Sequence, residues 1–286
     1  MNLPKISVVT TVKNGAEFIE RAIKSLLDQN YPNLEYIFLD AGSTDGTLEI
    51  AEKYKEHFAY FHSKPDKGAN FAYNLGIDIA TGEFITFLNA DDYYEGNVLF
   101  EIAKTYEENP EAMIISCPTK FVDVSDKILK EFKGSDLDIT LKRMMRPCLT
   151  NCRFFKKELF QILGKFEAQD SSGNYLMSAD REFLIRCVAN RIKYANTSDN
   201  CYYAYLVHAN SSTLAHNVNN IIKCHNQHMR IAERYFDKFP DKTERKIMKR
   251  FLYKSHRRLV YYNMIHFELK KVFKLILTFP FKYLFK

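Results

Sequence analysis

Leu34-Glu35-Tyr36-Ile37-Phe38-Leu39-Asp40-Ala41-Gly42-Ser43-Thr44-Asp45-Gly46-Thr47 reads as a strand that runs straight into a helix. Its first part, Leu34–Asp40, is a short apolar run rich in aromatic residues, the pattern of a buried strand. Gly42 breaks the run. Ser43, Thr44 and Thr47 then offer oxygens that can accept from the free amides of a helix start, and the helix is expected to reach about His57. Toward the N-terminus, Ile6–Thr11 reads as another buried strand, followed by Phe18, Ile19, Ala22, Ile23, Leu26 and Leu27 on one helical face and a turn at Asn30–Asn33. Toward the C-terminus come a short strand at Ala59–His62, a helix from Gly68 to about Ala80, a strand at Glu83–Leu88 and a helix over Val98–Glu107. Repeated strand–helix–strand units predict a mostly parallel α/β sheet with helices on both faces. Ligands of such sheets gather at the carboxyl ends of the strands. Thr11–Asn14, Asp40 and the Asp91-Asp92 pair all fall at such ends.

Beyond residue 115 the pattern loosens. Met113–Cys117 and Cys152–Phe155 read as strands, residues 119–133 as a hairpin, Lys157–Leu163 and Ser178–Asn190 as helices, and Tyr202–Val207 as a strand. From about Asn219 the chain reads as helix, broken near Pro240 and Pro280. The expected division is a first half at 1–115, a second half at 116–218 and a helical basic extension at 219–286.

Composition narrows the class. The chain has 286 residues, 46% hydrophobic and 27% charged, enough for a substantial core and too apolar for a disordered chain. Six cysteines without paired spacing read as reduced thiols. No secretory signal opens the chain, and no run reaches the roughly 18 apolar residues of a membrane span. The expectation is therefore a cytoplasmic protein. The net charge of +6 is unevenly spread: residues 219–286 hold 17 Lys and Arg against 5 Asp and Glu, and the rest holds 24 against 30. An acidic body with a basic tail does not read as a nucleic-acid binder.

Two adjacent carboxylates at a strand exit repel each other unless a cation is near. Asp91-Asp92 thus suits a divalent ion on a diphosphate, or else an exposed acidic turn. Asp40 before Gly42 suits a nucleoside or phosphate site, or simply a capped helix. No Walker or dinucleotide fingerprint is present. Cys224-His225-Asn226-Gln227-His228 invites a zinc reading, but no second ligand pair with matching spacing accompanies it.

Together these blocks resemble the family-2 glycosyltransferases. Ser7–Gly15, Ser25–Gln29 with Tyr31-Pro32-Asn33, Leu39–Thr47, Pro65–Gly68 with Asn74-Leu75-Gly76, and Ala80–Asp92 arrive in that family's order over about residues 5–100. The likeness continues more weakly to about 215. It implies a GT-A fold and a nucleotide-diphosphate sugar donor, with a UDP-sugar favoured. It assigns Thr11 and Asp40 to the nucleoside, with Asp66 and Lys67 nearby. It assigns Asp91 to the ribose or metal, Asp92 to the metal and diphosphate, and Mn²⁺ or Mg²⁺ to the site. Asp180, in Ser178–Arg186, is the implied general base, with Glu182 as the alternative. His208 stands where members often carry a diphosphate or metal ligand, although Leu206 replaces an Arg that frequently precedes it. Asn89 and Ala41 also depart from the family, at positions where Asp, or Asp and Gly, are common.

The processive members carry a Gln-x-x-Arg-Trp element, and this chain has no Trp. The implied enzyme is therefore an inverting, single-addition glycosyltransferase. Its acceptor would be a glycan or lipid-linked hydroxyl in surface polysaccharide, lipopolysaccharide or capsule synthesis. The competing reading is a binding module that kept the fold and lost the chemistry. In the tail, Lys242, Arg245, Lys246, Lys249, Arg250, Lys254, Arg257 and Arg258 interleave with Ile247, Phe251, Leu252, Leu259 and Val260. A basic amphipathic helix of this kind predicts peripheral binding to an anionic membrane surface; the alternatives are a solvated face on a homodimer or domain-packing helix, and a nucleic-acid-binding tail.

Overall fold

A computed structural model describes residues 3–146, 150–209, 218–265, 268, 271–272 and 274–275. In chain order the elements begin β1 (Ile6–Val12), α1 (Ile19–Leu27), β2 (Leu34–Asp40), α2 (Thr47–Glu52), β3 (Tyr60–Ser63), α3 (Ala69–Ile79), β4 (Phe84–Phe87) and β5 (Tyr93–Glu95). There follow α4 (Val98–Glu108), β6 (Ile114–Ser116), β7 (Thr119–Asp123), β8 (Ile128–Phe132), α5 (Leu141–Met144), β9 (Arg153–Lys156) and α6 (Lys157–Leu163). The last are α7 (Ala179–Ala189), β10 (Tyr194–Asn196), β11 (Tyr202–Val207), α8 (Val218–Tyr235) and α9 (Lys242–Ile265). The elements form two compact units, one of Met1–Asp138, Leu149–Ala168 and Ile192–Ser211, the other of Ile139–Cys148, Gln169–Arg191 and Ser212–Lys286. The Asp180 segment thus groups with the C-terminal helices, a partition that the linear division at 115 and 218 does not follow.

The first unit holds a seven-stranded sheet in the order β10-β6-β9-β4-β1-β2-β3. Its pairs are parallel except those of β9, which runs antiparallel to β4 and β6. Central strands of such sheets are covered on both faces and become apolar throughout. Accordingly every residue of β4 is buried, as is nearly all of β1 and β2. Helix α1 contributes Ile19, Ala22, Ile23 and Leu26, all fully buried, each large side chain contributing roughly 1.5–3 kcal/mol. Helix α3 lies so close to β1 that a Cβ on Gly76 would meet Val9 Cγ1 at 2.5 Å, so only glycine fits there. A second sheet, β5-β11-β7-β8, pairs β11 parallel to β7 and antiparallel to β5.

At the amino end of the large sheet, Glu35 ties three segments together. It accepts from Ser7 Oγ at 2.5 Å and from the Thr81 amide at 2.6 Å, and pairs with Lys5 at 2.8 Å. Burial pushes its carboxyl up, but these donors outweigh it and hold the group at about 2.

In the second unit, α8 and α9 form a helical hairpin in which Met248, Phe251, Leu252 and Leu259 are buried, while Lys242, Lys246, Arg250, Lys254, Arg257 and Arg258 face solvent. Among the described residues no helix is long and apolar enough to cross a membrane. Of residues 272–281, all but Val272, Lys274 and Leu275 lie outside the described residues, as do Cys148 and the segment after His208 from Asn210 to Ser212. The remaining five cysteines are free thiols, and all but Cys224 are buried.

Candidate functional site

The order of the large sheet reverses between β4 and β1, and the carboxyl ends of strands beside such a switch form a crevice. The loops after β1 and β2 are laced together there. Asn14 N donates to Ser43 Oγ at 2.7 Å, Gly15 N to Thr47 Oγ1 at 2.9 Å and Ala16 N to Asp45 Oδ2 at 3.0 Å. In return Thr44 N donates to Asn14 Oδ1 at 2.9 Å. The expected Ser/Thr capping of α2 is therefore corrected. Gly46, at φ +95°, is the residue before the helix, and no side chain caps it there. The hydroxyls of Ser43 and Thr47 serve the neighbouring loop instead.

Asp40 ends β2 and is 2% exposed. Its Oδ2 accepts from Gly42 N at 2.9 Å, Ser43 N at 3.0 Å and Ser63 Oγ at 2.7 Å. Its Oδ1 is buried without a hydrogen-bond partner. An acceptor left so costs about 1–3 kcal/mol unless a donor arrives, which is what a ligand N–H would supply. Thr11 is half-buried on β1, in register with Leu39, and Val12 is in register with Asp40. Asp66 and Lys67 are exposed after β3, where Asp66 Oδ1 accepts from Gly68 N at 2.8 Å. No hydrogen bond joins either of them to another expected site residue among the described residues.

At the exit of β4 the two aspartates divide. Asp92 is 1% exposed and turned inward, where its carboxylate accepts from the Tyr203 hydroxyl, Leu206 N at 3.0 Å and Asn89 Nδ2 at 3.0 Å. Burial, then the charge of Asp91, push its carboxyl well above the usual carboxylate range, against those three donors. Asp91 is turned to the rim, and its Oδ2 lies 3.1 Å from His208 Nε2. The His208 ring packs on Phe18, with centroids 4.5 Å apart. The expectation that Asp92 holds the cation does not fit a carboxyl spent on internal donors; Asp91 with His208 is the accessible pair. Asn89 also has a reason here: its amide donates to Asp92 while its Oδ1 accepts from Tyr73 at 2.7 Å. A carboxylate at that position would repel a buried neighbour. Ala41 is buried and donates its amide to Val12 O at 2.8 Å.

The divalent-ion expectation can be tested on the donor set. A carboxylate oxygen and an imidazole nitrogen converge at the rim, a pair that suits Mn²⁺. Among the described residues no group of three or more potential ligands forms, so a diphosphate and water would have to complete the shell. Tyr203, which anchors Asp92 and accepts from Asn151 Nδ2 at 3.2 Å, escaped the sequence reading. It lies 111 residues from its partner, and no local spacing signals it.

In the second unit, Asp180 is half-buried in the first turn of α7. Burial raises its carboxyl, against the charge of Arg181 and the amides of the helix start. Glu182, the alternative base, is 3% exposed. It pairs with Arg186, accepts from the Tyr235 hydroxyl and lies 3.6 Å from Arg234, so it is a brace between α7 and α8. His225 sits among cations: burial, then Arg258, Arg181 and Lys254, pull its imidazole down to about 4.

Comparison with known proteins identifies the family and the fold. The family profile of Glycosyl transferase family 2 matches residues 7–164. A PGL/p-HBAD biosynthesis glycosyltransferase of Mycobacterium tuberculosis is 28% identical over 194 residues, covering 66% of this chain and 72% of that protein. An uncharacterized glycosyltransferase of Rickettsia typhi is 30% identical over 172 residues, covering 57% of this chain and 54% of that one. Among solved structures, S. aureus TarS 1–349 in complex with UDP-GlcNAc superposes with a TM-score of 0.70 at 21% identity, covering 93% of this chain and 76% of that one. The mannosyltransferase PcManGT of Pyrobaculum calidifontis, solved with GDP-Man and Mn²⁺, gives 0.62 at 17% identity, covering 91% and 72%. The fold is GT-A, and the chain belongs to glycosyl transferase family 2.

Proposed function

We propose that this chain is an inverting, single-addition glycosyltransferase that moves a sugar from a UDP-sugar to a hydroxyl of a glycan or lipid-linked acceptor of surface polysaccharide. The observation that carries the reading is the rim of the first unit: the orphaned Oδ1 of Asp40 beside the β1 exit, and the Asp91–His208 pair at the β4 exit. The first offers an acceptor for a base N–H; the second offers ligands for a Mn²⁺ or Mg²⁺ ion that neutralises the leaving diphosphate. The relatives crystallised with UDP-GlcNAc, and with GDP-Man and Mn²⁺, support this choice of ligands.

Thr11 and Asp40 bind the nucleoside, with Asp66 and Lys67 at its edge. Asp92 carries no ligand; it holds the β11 exit to the β4 exit, so that His208 meets Asp91. Asp180 accepts the proton of the acceptor hydroxyl. That oxygen forms its bond to the anomeric carbon as the bond to the diphosphate breaks on the opposite face, and UDP leaves with the electron pair. The solvent-facing cations of α9 seat the enzyme on the anionic inner face of the cell membrane, where lipid-linked acceptors reside.

The test is a panel of nucleotide sugars with Mn²⁺, read by nucleotide release. UDP-sugars are expected to turn over, and Asp180→Asn to abolish turnover while leaving Mn²⁺-dependent UDP binding intact. Turnover by Asp180→Asn at the wild-type rate, or no UDP binding with Mn²⁺, overturns the reading.

A further inference from the structure

We infer that α8 sets the position of Asp180 through Gln227 and Arg230, which makes both of them positioning residues. The inference rests on the base assigned above. The first amides of a helix have no partner within it, and the amide of Ser178, just before α7, has none there either. Ser178 is 5% exposed, so water does not serve it, and its own side chain caps nothing. Its N–H donates to Gln227 Oε1 at 2.9 Å. The other end of the same amide group donates from Nε2 to Tyr175 O at 3.3 Å. Gln227 is itself buried, and with both ends occupied its orientation is fixed.

One turn further along α8, Arg230 Nη1 donates to Asp170 Oδ2 at 2.9 Å. Asp170 organises the segment that leads to the base. Its Oδ1 accepts from Ser172 N and Asn174 N, each at 2.9 Å, and Gln169 bridges back to Tyr175. Residues 169–175 therefore form a closed miniature hairpin, and it and the Ser178 amide that follows it are held by two struts on one stripe of α8. Only Ala179 separates the braced Ser178 from Asp180. On the same stripe, Cys224 lies close enough that the Asp180 charge adds to burial in raising its thiol. Helix α8 lies beyond residue 164, where the family match ends. The basic extension thus supplies part of the scaffold of the acceptor side. A displacement of about 1 Å at a catalytic group is enough to cost roughly 10²-fold in rate. The buried Gln227 strut should matter more than Arg230, whose guanidinium is largely exposed.

The test uses the full chain with Gln227→Leu, Gln227→Glu, Arg230→Gln and Arg230→Lys. Gln227→Leu is expected to lower kcat by about 10–100-fold, with Mn²⁺-dependent UDP affinity within about twofold of wild type. Hydrogen exchange should show lost protection at the Ser178 amide. Gln227→Glu keeps the acceptor and should keep that protection; its added charge should move the acid limb of kcat to higher pH. Arg230→Gln should lose a few-fold in kcat, and Arg230→Lys should restore it. An unchanged kcat in Gln227→Leu, or a loss matched by equal losses of UDP affinity and thermal stability, overturns the inference. Unaltered Ser178 protection in Gln227→Leu overturns it whatever the turnover. Wild-type turnover by Asp180→Asn refutes the base assignment instead, and the exchange measurement reads the clamp separately.

Discussion

His208 Nε2 stands 3.1 Å from Asp91 Oδ2, joining the exits of two strands across 117 residues of chain. The contact is between partly exposed side chains, His208 at 12% and Asp91 at 29%, and it leaves the neighbouring Asp92 to a different task. The two aspartates should therefore respond in opposite ways to mutation.

Asp91→Asn is expected to leave the folded state within about 1 kcal/mol, and His208→Ala to cost somewhat more because its ring packs on Phe18. Both should weaken Mn²⁺-dependent UDP binding by about tenfold or more if the pair holds the ion as proposed. Calorimetric titration of UDP with and without Mn²⁺ checks this. Unchanged affinity in both variants would remove the pair from the site.

Asp92→Ala and Tyr203→Phe should act on the fold. Asp92→Ala strands the Tyr203 hydroxyl, the Leu206 amide and one Asn89 N–H in the interior, at roughly 1–3 kcal/mol for each buried donor left unmet. Tyr203→Phe should lose about 1–2 kcal/mol. Urea melts of the ligand-free protein measure both. If Asp92→Ala were as stable as wild type, Asp92 would be free to act as a ligand after all.

Acid should loosen the amino end of the large sheet within a defined window. The Glu35 carboxyl sits at about 2 in the folded chain, below its model-compound value of 4.5. A depressed carboxyl contributes stability that is complete above the unfolded value and is lost as pH falls from about 4.5 to about 2. At neutral pH the contribution is on the order of 2–3 kcal/mol. Unfolding free energy measured from pH 5 down should drop more steeply in wild type than in Glu35→Gln. Parallel curves would show that the Lys5, Ser7 and Thr81 contacts add nothing net.

The exposed stripe of α9 should bind anionic bilayers. Lys246→Gln, Arg250→Gln and Arg257→Gln are each expected to weaken sedimentation with phosphatidylserine vesicles by about 1 kcal/mol, roughly fivefold. Salt should weaken binding by the wild type more than by the triple variant. Equal binding to neutral and anionic vesicles would exclude this role.

Strands β1, β2 and β4 could be read from the chain because near-complete burial leaves an unmistakable apolar run, as in Leu34–Asp40. What escaped was short or remote. Strands β5 and β10, three residues each, are too brief to show an alternation. The antiparallel direction of β9 is set by its partners β4 and β6, not by its own residues. Which of two adjacent aspartates turns inward is decided by Tyr203 and the Leu206 amide, both more than a hundred residues away. The role of Ser43 was misread for a similar reason: its hydroxyl sits in the right place for a cap but is claimed by Asn14 N.

The neutrality of Asn89 has a consequence for metal affinity. With Asp92 turned inside and an amide in place of a third carboxylate, the proposed ion site would rest, among the described residues, on one partly exposed carboxylate and one imidazole. So sparse a shell holds a divalent ion weakly, because such ions keep their own water until several oxygens replace it. If the rim takes up a divalent ion, the donor's diphosphate would have to supply most of the oxygens around it, so metal affinity should be far higher with nucleotide than without.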